Sequence, residues 1–178
     1  MIVLASTSPQ RRAILEQLRI PFRIEAPRYE ETGDDPVEHA VGKARSVDGG
    51  GAPVLGVDTM VVLDGAVLGK PGDADEARSM LERLSGRTHE VVSGLCLRTA
   101  EWEESGRAVT AVTFRELSSE EIAAYGDAGE WQGRAGAYAI QGLGAALVER
   151  VEGDYLNVVG LPAALLLDVM RRRSMMHG

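Results

Sequence analysis

A few residue types in this chain of 178 carry most of the chemistry it could perform. Asp58-Thr59 closes an otherwise apolar segment, Pro53 to Val57, that reads as a buried strand. A carboxylate there is costly unless it faces a cleft, a cation or a hydrogen-bond donor. Ends of strands in α/β sheets are also where catalytic groups gather, although an aspartate in a turn is the plainer alternative. Glu30-Glu31 could join Asp58 in supplying the hard oxygen ligands preferred by Mg²⁺ or Mn²⁺. Adjacent glutamates on a solvated loop would look the same.

The cations are unevenly divided. Only Lys43 and Lys70 are lysines among nineteen basic residues, and each sits among small residues, Gly42-Lys43-Ala44 and Gly69-Lys70-Pro71. A compact ammonium suits phosphate oxygens as a point charge, whereas a guanidinium reads them with a planar fork. Ser6-Thr7-Ser8-Pro9-Gln10-Arg11-Arg12 spans a strand-to-helix junction, where free N–H groups and the helix dipole favour an anion. An ordinary cap followed by exposed arginines fits that segment equally well. Ala135 to Gly142 is built of small residues that let a ligand approach the backbone, and Gln141 offers both donors and an acceptor.

Composition narrows the function classes. A formal net charge of -8 disfavours general nucleic-acid binding, which rewards clustered positive charge. No apolar run is long enough to span a bilayer, and Met1 to Ala5 makes no secretion signal. Cys96 is the lone cysteine, which suits the cytoplasm and excludes an internal disulfide. His39, His89 and His177 offer no zinc constellation at ligand spacing; His89 and His177 read as loop and tail.

Elements that would position these groups follow from caps and periodicity. Ile2 to Ala5 reads as a strand, with Ser8 capping a helix that has Pro9 at its first position. Phe22 to Ala26 is extended, and Asp35 to Glu38 opens a second helix with a capping box. Met60 to Leu63 continues extended, and Asp64-Gly65 predicts a hairpin between Val61–Leu63 and Ala66–Leu68. Asp73 to Glu76 caps a helix along Ala77, Met80, Leu81 and Leu84, stopped at Gly86. Thr88 to Thr99 and Arg107 to Leu117 predict an antiparallel pair, and Ser118 with Glu121 caps a helix to about Ala128. A strand from Ala145 to Val151, a turn at Gly153-Asp154 and a last helix after Pro162 complete an α/β chain with a mixed sheet.

Taken in order, several motifs resemble the Maf family of nucleoside triphosphate pyrophosphatases. They are Leu4-Ala5-Ser6-Thr7-Ser8-Pro9, Lys43-Ala44, Gly56-Val57-Asp58-Thr59-Met60-Val61-Val62 and Gly69-Lys70-Pro71. They continue through Leu84-Ser85-Gly86-Arg87-Thr88-His89, Ala135 to Gly142 and Gly153 to Pro162, so they cover nearly the whole chain. The resemblance implies one domain over residues 1–178: an elongated mixed sheet with flanking helices, and two lobes around a central cleft, similar to inosine triphosphate pyrophosphatases. It implies Asp58 as the base that activates water, and Ser6, Ser8, Gln10, Arg11, Lys43, Thr59, Lys70 and Gln141 as substrate contacts. Glu31 and Asp58 would hold a divalent cation, Mg²⁺ or Mn²⁺. A homodimer is a further implication. Gln10 departs from the family pattern, which carries arginine there, and Arg12 is the nearest substitute; Gly42 stands in place of a usual glutamate.

On this reading the chain hydrolyses the α–β phosphoanhydride of dTTP, UTP or modified pyrimidine nucleotides. Alternatives are a 7-methyl-GTP or broader nucleotide pyrophosphatase, or a nucleotide-sensing regulator of cell division without turnover.

Overall fold

Seven strands form a mixed sheet in the computed structural model: β1 (Ile2–Ala5), β2 (Phe22–Glu25), β3 (Val54–Leu63), β4 (Ala66–Leu68), β5 (Thr88–Arg98), β6 (Glu103–Phe114) and β7 (Val148–Glu152), in the spatial order β2-β1-β3-β5-β6-β7 with β4 paired to β3. The structure describes residues 1–175, so His177 lies outside the described residues. Two units are distinguished. The first comprises Met1–Thr59, Ser93–Ala108 and the segment from Gly160; the second comprises Met60–Val92 and Val109–Val159.

In the first unit, β1 (Ile2–Ala5) runs parallel to β2 (Phe22–Glu25) and to the start of β3 (Val54–Leu63). Crossover helices make this parallel pairing possible. α1 (Pro9–Gln17) starts as expected: Ser8 is extended and accepts the Arg11 N–H, with Pro9 at the first position. α2 (Pro36–Arg45) starts at Asp35, which accepts the Val37 N–H at 2.9 Å. Arg107 also donates to Asp35. Val3, Ala5, Ala40, Ala44, Val47, Val54 and Cys96 pack together as a core of small side chains. Burial pushes the Cys96 thiol up to about 12, which leaves it unreactive. α6 (Ala163–Arg172) follows Pro162, as the sequence predicts.

In the second unit, Asp64 and Gly65 both take positive φ, as a two-residue hairpin between β3 and β4 (Ala66–Leu68) requires. α3 (Ala74–Leu84) buries Ala77, Met80, Leu81 and Leu84, and Gly86 ends it at φ 67°. At Asp73 the capping box is only half formed. Asp73 accepts from Glu76, but the Glu76 carboxylate takes the Gly72 N–H instead. The reciprocal box forms at Ser118 and Glu121, opening α4 (Ser119–Asp127). β5 (Thr88–Arg98) and β6 (Glu103–Phe114) are divided between the units: Thr88 faces Thr113 in the second, and the Thr99 N–H donates to the Trp102 carbonyl in the first, the pairing of an antiparallel hairpin.

Three expectations are corrected. Val54 to Leu63 is one uninterrupted strand, so Asp58 lies within it rather than at its end. Ala145 to Leu147 belongs to a 3-10 turn, Leu143–Leu147, and β7 is Val148–Glu152. The turn is imposed by Glu130, whose carboxylate accepts the N–H groups of Leu143 and Gly144, both at 2.9 Å. α5 (Tyr155–Val159) occupies a segment read only as a turn; Asp154 caps it by accepting from Leu156 and Asn157. Among the described residues, no helix is long and apolar enough to cross a membrane.

His89, Phe114 and Tyr138 meet edge to face, with ring centroids 4.8 to 5.4 Å apart, in the second unit's core. Burial lowers the His89 pKa to about 4. Above pH 6.5 the imidazole is neutral both folded and unfolded, and it contributes no pH dependence. Below that, only the unfolded chain takes up the proton, so stability falls as pH drops from 6.5 and levels off below about 4. The loss from this group is about 3 kcal/mol. In denaturant melts at pH 7 and pH 4, His89→Phe should show a pH-dependent loss smaller by about that amount. An unchanged difference would exclude His89 as its source.

Candidate active site

Asp58 owes its surroundings to residues without side chains. The β1 ladder ends with Ala5 opposite Gly56, so Asp58 lies two residues past the last β1 partner. A Cβ on Gly56 would come within 2.1 Å of the Ala40 carbonyl oxygen and 2.8 Å of the Ala44 nitrogen. A Cβ on Gly94 of β5 would meet the Pro36 carbonyl oxygen at 2.0 Å. These two glycines let the backbone of α2 lie directly on the sheet. Gly42 has a similar reason: the Tyr29 ring fills the place of its side chain, 2.1 Å from an ideal Cβ. A glutamate at that position would displace the tyrosine.

On α2, His39 and Lys43 are one turn apart and share a face. Lys43 Nζ lies 2.6 Å from Asp58 Oδ1 and 2.5 Å from Glu31 Oε1. His39 Nδ1 lies 3.2 Å from Asp58 Oδ2, and its Nε2 lies 3.2 Å from the Thr32 carbonyl oxygen. Asp58 and Lys43 are each 8% exposed and His39 is 2% exposed, whereas Glu31 reaches in from an exposed loop. Burial acts to lower the His39 pKa. The Thr32 carbonyl, the hydrogen bond to Asp58 and the charges of Asp58 and Glu31 outweigh it and hold the pKa above its ordinary value.

Arg11 heads a second group in the same unit. Its Nε donates to the Gly160 carbonyl at 3.0 Å, one terminal nitrogen to Ser6 Oγ at 3.1 Å, and the other to Thr59 Oγ1 at 3.4 Å. Desolvation lowers its pKa while Asp58 and Glu31 act to raise it; a guanidinium remains charged throughout. Thr59 Oγ1 also lies 2.8 Å from Ser93 Oγ. Ser8 Oγ donates to Gln10 Oε1 at 3.1 Å. Arg12 pairs with Glu16 on the exposed side of α1, at 2.8 Å.

Lys70 and Gln141 belong to the second unit, and both are exposed. Lys70 follows Gly69, whose carbonyl accepts the Gly136 N–H at 3.1 Å. A Cβ on Gly136 would meet Val61 at 2.9 Å. Gln141 sits in the loop that Glu130 fastens from behind.

The first unit therefore brings together Asp58, Glu31 and Lys43, and places Ser6, Arg11 and Thr59 in one hydrogen-bonded group. Glu30 makes no ion pair with them. The sequence offers no zinc constellation at ligand spacing, but His39 joins Glu31 and Asp58 in a candidate cation site, because the three come from a helix, a loop and a strand. One ligand atom from each lies within 4.8 Å of the others. Two carboxylates and an imidazole are a donor set that fits a divalent cation. The cap at Asp35-Pro36 marks the helix start, and its further consequence, the phase of α2 that aligns residues 39 and 43, is the signal for His39. Ser93 and Glu130 carried no sequence signal of their own, and Gly160 was legible only as part of the motif from Gly153 to Pro162.

A buried acid bonded to a lysine, beside an arginine at a helix N-terminus, is the equipment of an enzyme that handles anions. A family model described as Maf-like protein matches residues 1–173, and the chain belongs to the Maf family. It is 46% identical to a dTTP/UTP pyrophosphatase of Nitratidesulfovibrio vulgaris strain Hildenborough, over 99% of this chain and 89% of that protein. A dTTP/UTP pyrophosphatase of Symbiobacterium thermophilum is 48% identical over 90% of this chain and 88% of its own. One from Pyrococcus furiosus is 43% identical over 95% and 93%.

Removing one partner of the Lys43–Asp58 pair leaves a buried charge uncompensated. Lys43→Met should cost about 3–5 kcal/mol of unfolding free energy. Lys43→Met combined with Asp58→Asn should recover part of that loss, as a double-mutant cycle in denaturant would measure. Additive losses would show that the pair is not coupled.

Proposed function

We propose that this chain is a nucleoside triphosphate pyrophosphatase acting on dTTP and UTP, releasing the nucleoside monophosphate and pyrophosphate. The observation that carries the proposal is Asp58, a buried carboxylate held by Lys43, in a chain 43–48% identical to proteins named for that activity.

In this reading Asp58 orients a water and takes its proton as the water oxygen adds to phosphorus. The α–β bridging bond breaks at the same centre, and its electron pair leaves with pyrophosphate. General-base assistance of this kind contributes about 10²–10⁴-fold. Lys43 exchanges the half-exposed Glu31 carboxylate for a phosphate oxygen while keeping Asp58. Arg11 presents a guanidinium already oriented by Ser6, Thr59 and Gly160, so little reorganisation is needed as charge develops. Ser6, Ser8, Gln10 and Thr59 supply hydrogen bonds beside it. In the second unit, Lys70 is a phosphate contact and Gln141 a nucleotide contact. Glu31 and Asp58 would hold Mg²⁺ or Mn²⁺, which when bound supplies Lewis-acid charge neutralisation at the phosphate oxygens.

The test is product identity from purified protein given dTTP, UTP, 7-methyl-GTP and ATP with Mg²⁺ or Mn²⁺. Monophosphate and pyrophosphate from dTTP and UTP are expected. Diphosphate with orthophosphate, or binding without release, would overturn the proposal. A preference for 7-methyl-GTP would overturn its pyrimidine specificity.

Asp58→Asn should lower kcat by at least about 10²-fold while leaving nucleotide affinity within a few-fold. Retained turnover would remove Asp58 from the role of base.

A further inference from the structure

The imidazole of His39 is placed as a ligand is placed. The Thr32 carbonyl can only accept a hydrogen bond, so Nε2, 3.2 Å away, carries the hydrogen. Nδ1 then faces Asp58 Oδ2 at 3.2 Å inside a site where neither residue is more than 8% exposed. Something positive belongs between Nδ1 and Oδ2 at that distance: a proton, which makes the contact an imidazolium–carboxylate hydrogen bond, or a metal ion that takes the proton's place. A histidine that binds metal through one nitrogen characteristically donates its other N–H to a carbonyl or carboxylate, which fixes its tautomer. Two neighbouring ligands about 2.1 Å from an octahedral ion stand about 3 Å apart, close to the separation found here.

We infer that His39 is a metal ligand through Nδ1, alongside Asp58 Oδ2 and Glu31, and that it biases this site toward Mn²⁺ over Mg²⁺. Asp58 divides its oxygens: Oδ1 faces Lys43, and Oδ2 is turned to His39. An ion on the Oδ2 side leaves the buried ion pair in place. Mg²⁺ prefers oxygen ligands and retains its waters, whereas imidazole suits ions further along the transition series. The inference deepens the proposed function and rests on it for the use made of the ion, but not for the ion's binding.

The test uses the nucleotide-free, full-length protein titrated with Mn²⁺ and read by pulsed electron paramagnetic resonance. The wild type should show ¹⁴N coupling from a directly bound imidazole, and His39→Gln should lose it. The same substitution should weaken Mn²⁺ binding about 10–100-fold, with Mg²⁺ binding changed less than about threefold. Absence of Mn²⁺ binding, bound Mn²⁺ without nitrogen coupling, coupling that persists in His39→Gln, or equal losses for both ions would each overturn the inference. The wild-type spectrum decides the ligand even if the variant fails to fold. Pyrophosphate release from dTTP is assayed separately. Hydrolysis without nitrogen coupling overturns only the ligand, and coupling without hydrolysis overturns only the proposed function.

Discussion

A carboxylate buried on β3 must find positive charge and hydrogen bonds within the protein, because water is largely withheld from it. Everything around Asp58 follows from that requirement. The partners come from α2, and they reach Asp58 only because α2 touches the sheet backbone to backbone. Gly56 and Gly94 remove the side chains that would hold the helix off, while Gly42 yields its outer face to Tyr29. Given that seating, the helical repeat delivers His39 and Lys43 to the two oxygens of one carboxylate. Glu31 completes the arrangement from a loop, so the exposed acid is the one able to change partners.

Backbone proximity governs the second unit as well, with a different purpose. Gly136 packs against Val61 and donates to the Gly69 carbonyl, which ties the segment before Lys70 to the turn before Gln141. Glu130 then gathers the Leu143 and Gly144 N–H groups and the Tyr125 hydroxyl. Its carboxylate serves as the cap of a turn that has no side-chain cap of its own. Lys70 and Gln141 are exposed side chains on backbone that is held in place, a combination that suits ligand contact.

Legibility in the sequence tracked how local the determinant was. Ser8-Pro9, Asp64-Gly65, Gly86 and Ser118 with Glu121 act within four residues of themselves, and the elements they predict formed. Asp58, Glu31 and Lys43 were legible as chemical groups because a charge in an apolar or small-residue setting needs a reason. His39 was not, since its partners are eight and nineteen positions away and converge only through strand, loop and helix. The 3-10 turn after Gly142 was misread for a related cause. Its apolar residues suggest a strand, but the deciding group, Glu130, comes from beyond the segment. Asp58 looked like the end of a strand because polarity breaks the apolar run there. The ladder with β1 does stop just before it, while the strand itself continues.

Gln10, at the position where the resemblance leads one to expect arginine, has the neighbouring cations as its context. Arg12, the nearest substitute for that charge, is paired with Glu16 on the solvated side of α1. Gln10 instead accepts a hydrogen bond from Ser8, at the turn that caps the helix. The cations gathered around Thr59 and Asp58 in the first unit are Arg11 and Lys43, and both are held in place by neutral or acidic partners. On the proposed function, fewer permanent charges at the helix start would leave a larger share of charge neutralisation to a divalent ion. On that reading the proposed ligand set of Glu31, His39 and Asp58 would matter more in this chain than it would with a second guanidinium at position 10.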